Sequence, residues 1–430
     1  MTDRDVFSYP ARPQDRLLGV AGRVERVARA LPRLRPAQLR RLAAERRRAA
    51  GPAPPSALPA QAAAAGAPPS GAPIFYLPAV AWRYRFQRPQ QLALGLARAG
   101  HPVLYVDGFL RGRLLPARSL LEVHGRLHVL RLRVPGRPDP YREVLDDRTA
   151  ARLAATILEG FRGERPRMVL VQLPFWAALG RELSRRLGAP LVYDRIDLHT
   201  GFPGVPARLA EAEERLMREA DLVAATAGLL AEEPRRLNPR VLLLPNAVDL
   251  DAFPAPAAQR PGGPPRIGYV GALGPWFDAE ALRAAALRHP DWRFRLAGRI
   301  ESPEVEALAE LPNVEAVGEI PFREVPGFLA GADVSLVPFR DLPLTRAVDP
   351  VKLYESLALG LPVVARRLPE TERWAEPAVY LYESPEGFVA QLERALAEAM
   401  PERAEKAAQR RALAREETWD RRAAALLGAV

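Results

Sequence analysis

Residues 345–364 read TRAVDPVKLYESLALGLPVV. Asp349 is a good helix N-cap, and Pro350 suits the first helical position, where its missing N–H costs nothing. Gly360 suits the helix end, and Pro362, Val363 and Val364 open a strand. A capped helix handing over to a β-branched run is one step of a strand–helix alternation. Free N–H groups and a positive dipole at such a helix start favour an anion, a diphosphate above all. Lys352 and Glu355 are three apart and share a face. A cation then stands near the phosphates and a carboxylate one turn later, suited to ribose hydroxyls. The plainer reading is a surface ion pair on a capped helix. Against it, Lys352 and Lys406 are the only lysines in a chain with 60 arginines.

The alternation extends in both directions. Upstream, strands are expected at 74–77, 103–106, 127–132, 168–172, 191–194, 222–225 and 241–244, with helices at 89–99, 148–162, 176–187 and 206–219. Around the quoted stretch, strands are expected at 267–270, 294–297, 314–317, 334–337, 362–364 and 378–381. Helices fall at 278–288, 303–310, 323–330 and 349–359. Such alternation argues for α/β units, each a parallel sheet covered by helices on both faces. The expected organisation is a first doubly wound Rossmann-like unit at 74–253, a Pro/Gly linker at 254–265 and a second unit at 266–401. A charged helix at 402–427, within the segment 402–430, is long enough to return to the first unit. Ligands of such sheets bind beyond the strands' carboxyl ends, so two facing units make a cleft.

Residues 1–73 differ from the rest. The first 50 hold 13 arginines against five acids, a net of +8, whereas the whole 430-residue chain carries +11. Leu17, Val20, Val24, Val27, Leu31 and Leu34 step along one helical face, Arg16, Arg23, Arg26, Arg29 and Arg33 lie on others, and Pro32 and Pro36 should end the helix. Residues 51–73 hold seven prolines and read as a flexible linker. This basic arm reads either as a helix docked on the body or biased tail, or as an amphipathic segment, over 16–50, for an anionic membrane surface.

Composition excludes several classes. There is no cysteine, so thiolate catalysis, disulfides and Cys-ligated metals are impossible. Five histidines make a His-rich metal site improbable on composition. No apolar run approaches a membrane span. The opening MTDRDVFSYP does not resemble a signal peptide, and a cytoplasmic protein, at most peripheral at the inner membrane face, is expected. Neither IFYLPAVAWRYRFQRPQ nor IGYVGALGPWFD carries the dinucleotide fingerprint, and no Walker A motif occurs.

With these residues the chain resembles the GT-B glycosyltransferases, in particular bacterial cell-envelope enzymes of the teichuronic-acid and xanthan-assembly type. Further matching stretches are Trp82…Arg88-Pro89-Gln90, Val192-Tyr193-Asp194…Asp197, Leu244-Pro245-Asn246-Ala247-Val248-Asp249…Phe253 and Gly268-Tyr269-Val270-Gly271-Ala272…Trp276-Phe277-Asp278. Their order and spacing carry the resemblance over about residues 74–400. It implies the GT-B fold, two Rossmann-like domains facing across a cleft, with a nucleotide-sugar donor in the C-terminal one and an acceptor in the N-terminal one. It implies Lys352 on the donor diphosphate and Glu355 on the ribose. Arg346, Val348, Gly271 and Glu319 join them on the donor side, the base meeting the loop at 318–320.

One departure matters. Many retaining relatives carry a glutamate eight positions before the one matching Glu355; here that position is Ala347. Its absence points toward an inverting outcome. Inversion needs a general base at the cleft. Asp197 is the candidate, with His199 as its stand-in and Asp194 nearer the sheet; the plainer reading is loop carboxylates that cap a turn or neutralise Arg195. For the acceptor, Trp82, Tyr84, Phe86 and Arg88 follow the first strand, and Phe175 ends another on the same edge. Aromatic faces stack on sugars, but equally pack under a long loop. Asp249 and Asp251 match a D-x-D metal pattern of a different fold, in a plain loop here; no metal and no cofactor is expected. The helix dipole, Lys352 and Arg346 can neutralise a diphosphate instead.

The expected function is transfer of a sugar from a nucleoside-diphosphate sugar to a cell-envelope glycan or lipid-linked acceptor. A nucleotide-sugar 2-epimerase on the same fold is the alternative, separable by product analysis. A basic-arm nucleic-acid binder is disfavoured: the arm lacks interleaved aromatics and the body is nearly neutral.

Overall fold

The computed structural model describes residues 71–430 except 109–117, 137, 160, 162, 203, 256–261, 375, 377 and 399–400. The basic arm, with its 17–34 stripe, and residues 51–70 of the first linker lie outside the described residues, as do 256–261 of the second.

Two sheets organise the chain. The first contains β1 (Ile74–Leu77), β2 (Val103–Asp107), β3 (Arg118–His124), β4 (Leu127–Leu132), β5 (Met168–Val171), β6 (Leu191–Arg195), β7 (Leu222–Ala225) and β8 (Val241–Leu243). Their order is β3-β4-β2-β1-β5-β6-β7-β8. All pairs are parallel except β3 with β4, which is antiparallel at the edge. The second contains β9 (Arg266–Val270), β10 (Arg293–Ala297), β11 (Val314–Gly318), β12 (Val334–Val337), β13 (Val363–Arg366) and β14 (Val379–Tyr382), wholly parallel in the order β11-β10-β9-β12-β13-β14. Two doubly wound, Rossmann-like units result, joined by one linker. The strand order reverses at β1 and at β9, so a crevice opens beyond the carboxyl end of each.

The central strands of the first sheet, β1 and β5, are apolar throughout because both faces are covered. Ile74, Phe75, Tyr76 and Leu77 are all at most 1% exposed. Phe75, Leu77, Val169 and Val171 face one helical layer; Ile74, Tyr76, Met168 and Leu170 face the other. The second layer includes Trp419, Ala423 and Leu426, from the last helix, Trp419–Ala429. That helix packs on Arg88–Arg98 of the first unit. The approach is close: a Cβ on Gly95 would lie 2.9 Å from the Trp419 carbonyl oxygen.

The structure differs from the sequence expectations at several elements. The single C-terminal helix is two, Glu402–Glu416 and Trp419–Ala429, broken where Thr418 caps the second. The first packs on Val351–Ala358 of the second unit, so the break lets one segment bind both units. Helix Gly228–Leu237 is not among the expected elements, and it carries Pro234 in its interior. Its missing N–H orphans the Leu230 carbonyl, which accepts from Arg195 Nη1 at 2.9 Å instead. Edge strand β3 and helix Pro385–Leu396 were also unexpected.

Candidate active site

The quoted segment forms helix Val351–Ala358, with Pro350 as its N-cap rather than Asp349. Asp349 is 3% exposed and does something else. Its carboxylate accepts the Asn246 main-chain N–H at 2.5 Å and the Tyr354 hydroxyl at 2.8 and 2.9 Å. Asn246 Nδ2 returns a bond to the Asp349 carbonyl at 2.6 Å. The two units are thus fastened beside the helix start, and Arg373 faces the same carboxylate at 3.5 Å.

A cavity of about 420 Å³ lies between the units. From the second unit Gly271, Val348, Lys352, Glu355 and Glu319 line it, as do Arg299 and Phe322. From the first unit come Asp197, Arg88 and Phe86, with Arg85, Tyr141 and Ile196. Lys352 and Glu355 are half-buried on one face, and neither side chain has a hydrogen-bond or ion-pair partner among the described residues. The Lys352 ammonium sits 4.8 Å from the Phe339 ring centroid and 5.2 Å from that of Tyr269. Gly271, at φ 145°, leaves room for it: a Cβ there would meet Lys352 Cε at 3.0 Å. Burial lowers Lys352 to a pKa of about 8, with Glu355 opposing, and raises Glu355 to about 7, with Lys352 opposing. Ionisable groups left unpaired in a cavity are chemically available, and charge brought by a ligand would offset their desolvation.

Asp197 follows β6 at the sheet's carboxyl edge. It too is without a hydrogen-bond partner among the described residues, and burial raises it to about 7, with Arg88 opposing. A carboxyl group tuned near neutrality at a cleft can take up a proton.

Other candidates fall elsewhere. Asp194 is fully buried beneath the cavity, where it accepts from Arg88 and from Gln172 Nε2 at 2.8 Å. His199 is buried behind the lining, its Nε2 without a partner among the described residues, and burial lowers its pKa. Arg346 is exposed and bound to Asp341 at 2.6 Å. Phe175 packs edge-on against Trp176 in the core. Trp82 packs edge-on against Tyr105, and the Tyr84 carbonyl serves Gln90 Nε2 at 3.0 Å; neither lines the cavity. The aromatic loop is therefore mostly packing, with Phe86 the exception. Arg88 lines the cavity but is 4% exposed and already engaged. Asp249 accepts the Asp251 N–H at 3.1 Å within a turn. Ala347, eight before Glu355, packs with Ala227, Leu230 and Ala231 of the first unit. Sequence reasoning missed Arg85, Arg299 and Tyr141; in so arginine-rich a chain, no single Arg stands out.

Comparison with known proteins accords with this architecture. Residues 87–247 match the family described as glycosyl transferase 4-like domain, and residues 264–398 match glycosyl transferases group 1. A relative is the putative teichuronic acid biosynthesis glycosyltransferase TuaH of Bacillus subtilis (strain 168), 31% identical over 228 residues. The match covers 49% of this chain and spans 57% of the length of that relative. Among solved structures, sucrose-phosphate synthase from Thermosynechococcus elongatus superposes with a TM-score of 0.64 at 18% identity, over 78% of this chain and 90% of that one. HepE of Anabaena, in complex with UDP and glucose, superposes with a TM-score of 0.58 at 16% identity, over 84% and 100%. At these identities the superpositions establish the shared fold.

Proposed function

The chain belongs to the group 1 glycosyltransferases of the GT-B fold, and from that premise we propose that it moves a sugar from a nucleoside-diphosphate sugar to a cell-envelope glycan or lipid-linked acceptor. The observation that carries this reading is Lys352 and Glu355 on one helical face, in the same cavity as Asp197, none of the three with a hydrogen-bond or ion-pair partner among the described residues. Lys352 meets the diphosphate beside the helix N-terminus, and Glu355 accepts from the ribose hydroxyls. The unit at 266–401 carries the donor and that at 74–253 the acceptor.

Asp197 acts as the general base. It is the cavity-lining carboxylate of the first unit without a hydrogen-bond partner among the described residues, and it takes the acceptor hydroxyl proton as that oxygen attacks the anomeric carbon. The leaving nucleoside diphosphate departs with the bonding electron pair, its charge met by Lys352 and the helix dipole. The Ala347 position, closed by apolar packing, offers no second carboxylate near Glu355, and the reading is therefore of inversion. The envelope acceptor draws support from the teichuronic-acid relative, and the arm at 16–50 would bring the enzyme to an anionic membrane face. Loss of vesicle binding on deletion of residues 1–70, with donor binding kept, tests the arm.

A thermal-shift panel of UDP-, GDP-, ADP- and TDP-sugars tests the donor assignment, since a native-state ligand raises apparent stability by mass action. A shift with one nucleotide class, lost in Lys352→Ala, is expected. No shift with any of the four overturns the reading.

A further inference from the structure

The cavity is lined by four cations: Arg85, Arg88, Arg299 and Lys352. A donor diphosphate brings two negative charges, and only Lys352 is unpaired among the described residues. Any second cation from the lining would have to leave an existing ion pair, and the three arginines differ in what their release would leave behind.

Arg88 is locked. It holds Asp194, which is 0% exposed, through two bonds, and releasing it would strand a buried carboxylate. Arg299 is bound at 2.7 Å to Glu301, whose side chain is 8% exposed, so its release has a similar cost. Arg85 is different. Its Nε donates to Glu319 at 2.7 Å, and its Nη2 lies 3.8 Å from Glu301. Glu319 is 44% exposed and would be solvated if released; Glu301 would keep Arg299.

Arg85 also has an unusual placement. It belongs to the first unit, whereas Glu319 and Glu301 belong to the second. It is the non-glycine residue with positive φ, 32°, among the described residues, a conformation L side chains rarely adopt. The next residue, Phe86, meets Phe322 of the second unit with ring centroids 5.0 Å apart. The turn thus reaches across the cleft with a charged and an aromatic contact, both made by cavity-lining side chains.

We propose that Arg85 is the second diphosphate-binding cation: it exchanges Glu319 for the donor phosphates, so that the first unit grips a donor seated on the second. This rests on the nucleoside-diphosphate donor read above. In the ligand-free cleft Glu319 acts as a competitor for the same guanidinium. The cross-cleft contact that Arg85 makes with Glu319 in the ligand-free cleft is thereby handed to the donor, which places the sugar in the cavity that Asp197 lines.

The test is calorimetric titration of the full chain with UDP, GDP, ADP and TDP and with the corresponding nucleosides, in wild type, Arg85→Gln, Arg85→Lys, Glu319→Gln and Lys352→Ala. Arg85→Gln is expected to weaken the best diphosphate at least tenfold while changing the nucleoside's affinity less than twofold, and Arg85→Lys to recover part of the loss. Glu319→Gln is expected to tighten the diphosphate severalfold, because it removes the competitor. A merely structural ion pair predicts the opposite sign or no change in Glu319→Gln, and either result overturns the proposal. Because the two variants should move affinity in opposite directions, misfolding of one cannot imitate the expected pattern. A wild type that binds none of the four diphosphates overturns the donor reading as well. Lys352-dependent binding indifferent to Arg85 and Glu319 overturns only the present inference.

Discussion

Arg88 donates to both carboxylate oxygens of Asp194, at 2.7 and 3.1 Å, inside the first unit. Arg88 also reaches the Pro245 carbonyl and Asn246 Oδ1, each at 3.2 Å, and so ties the start of its helix to the segment that fastens the two units. Asp194 therefore belongs to the scaffold, although it stands three residues from Asp197. Asp194→Asn keeps the shape but leaves a buried guanidinium uncompensated, and should cost about 3–5 kcal/mol. Urea unfolding should show that loss, with turnover under folded conditions within about threefold of wild type. A large turnover loss at unchanged stability would return Asp194 to the chemistry.

Lys352→Ala and Glu355→Ala should each weaken nucleotide-sugar binding by about 1.5–3 kcal/mol, roughly ten- to hundredfold, as expected for a hydrogen bond to a charged group. Among the described residues neither side chain has a hydrogen-bond or ion-pair partner, so their removal orphans no charge; Lys352→Ala loses only its contacts with the Phe339 and Tyr269 rings, and thermal stability should change little. Titration with the donor and a melting curve read the two effects separately. Unchanged affinity in both variants would displace the donor site.

Asp197→Asn should lower turnover about 10²–10⁴-fold with donor affinity retained, because the amide cannot take the acceptor proton. The anomeric configuration of the wild-type product, read by NMR, decides the companion question. Inversion is expected; a retained anomer would remove Asp197 from the role of base.

The pH dependence follows from three groups. Asp197 and Glu355, both raised to about 7 by burial, must be ionised to act, so kcat/KM should rise through pH 7. Lys352, lowered to about 8, must stay protonated, so the same quantity should fall above pH 8. A narrow bell is expected, with an acid limb less steep in a donor-binding assay of Asp197→Asn.

Asp197 also links stability to pH. Its folded pKa lies above its ordinary value, so the native state holds a proton that the unfolded chain has lost between about pH 4 and 7. The wild type therefore loses stability as pH rises through 7, and Asp197→Asn should melt higher at pH 8. For a half-buried group the gain is about 1 kcal/mol, or ~2–4 °C. The gap should close as pH falls toward 4; a variant less stable than wild type at pH 8 would contradict the burial argument.

Local chemistry made much of this molecule legible from sequence. Uniformly apolar runs such as IFYL and MVLV mark strands covered on both faces, and their alternation with amphipathic segments expects two parallel-sheet units. Lys352 and Glu355 were legible for the same reason: a spacing of three on a helix fixes a shared face whatever the surroundings. The neighbours of Asp349 suit a helix cap, but its carboxylate is taken by Asn246, 103 residues away. Nor could spacing tell Asp194 from Asp197. Which of two carboxylates is paired and which is left in the cavity depends on where the Arg88 guanidinium lands, and that contact spans 106 residues. Arg85 was invisible among 60 arginines, since its distinction is a set of partners on the opposite unit. The sequence by itself determined most elements and the shared helical faces, which follow from near neighbours; burial, pairing and proton affinity belonged to the tertiary structure, because each depends on what the rest of the chain brings to the same point in space.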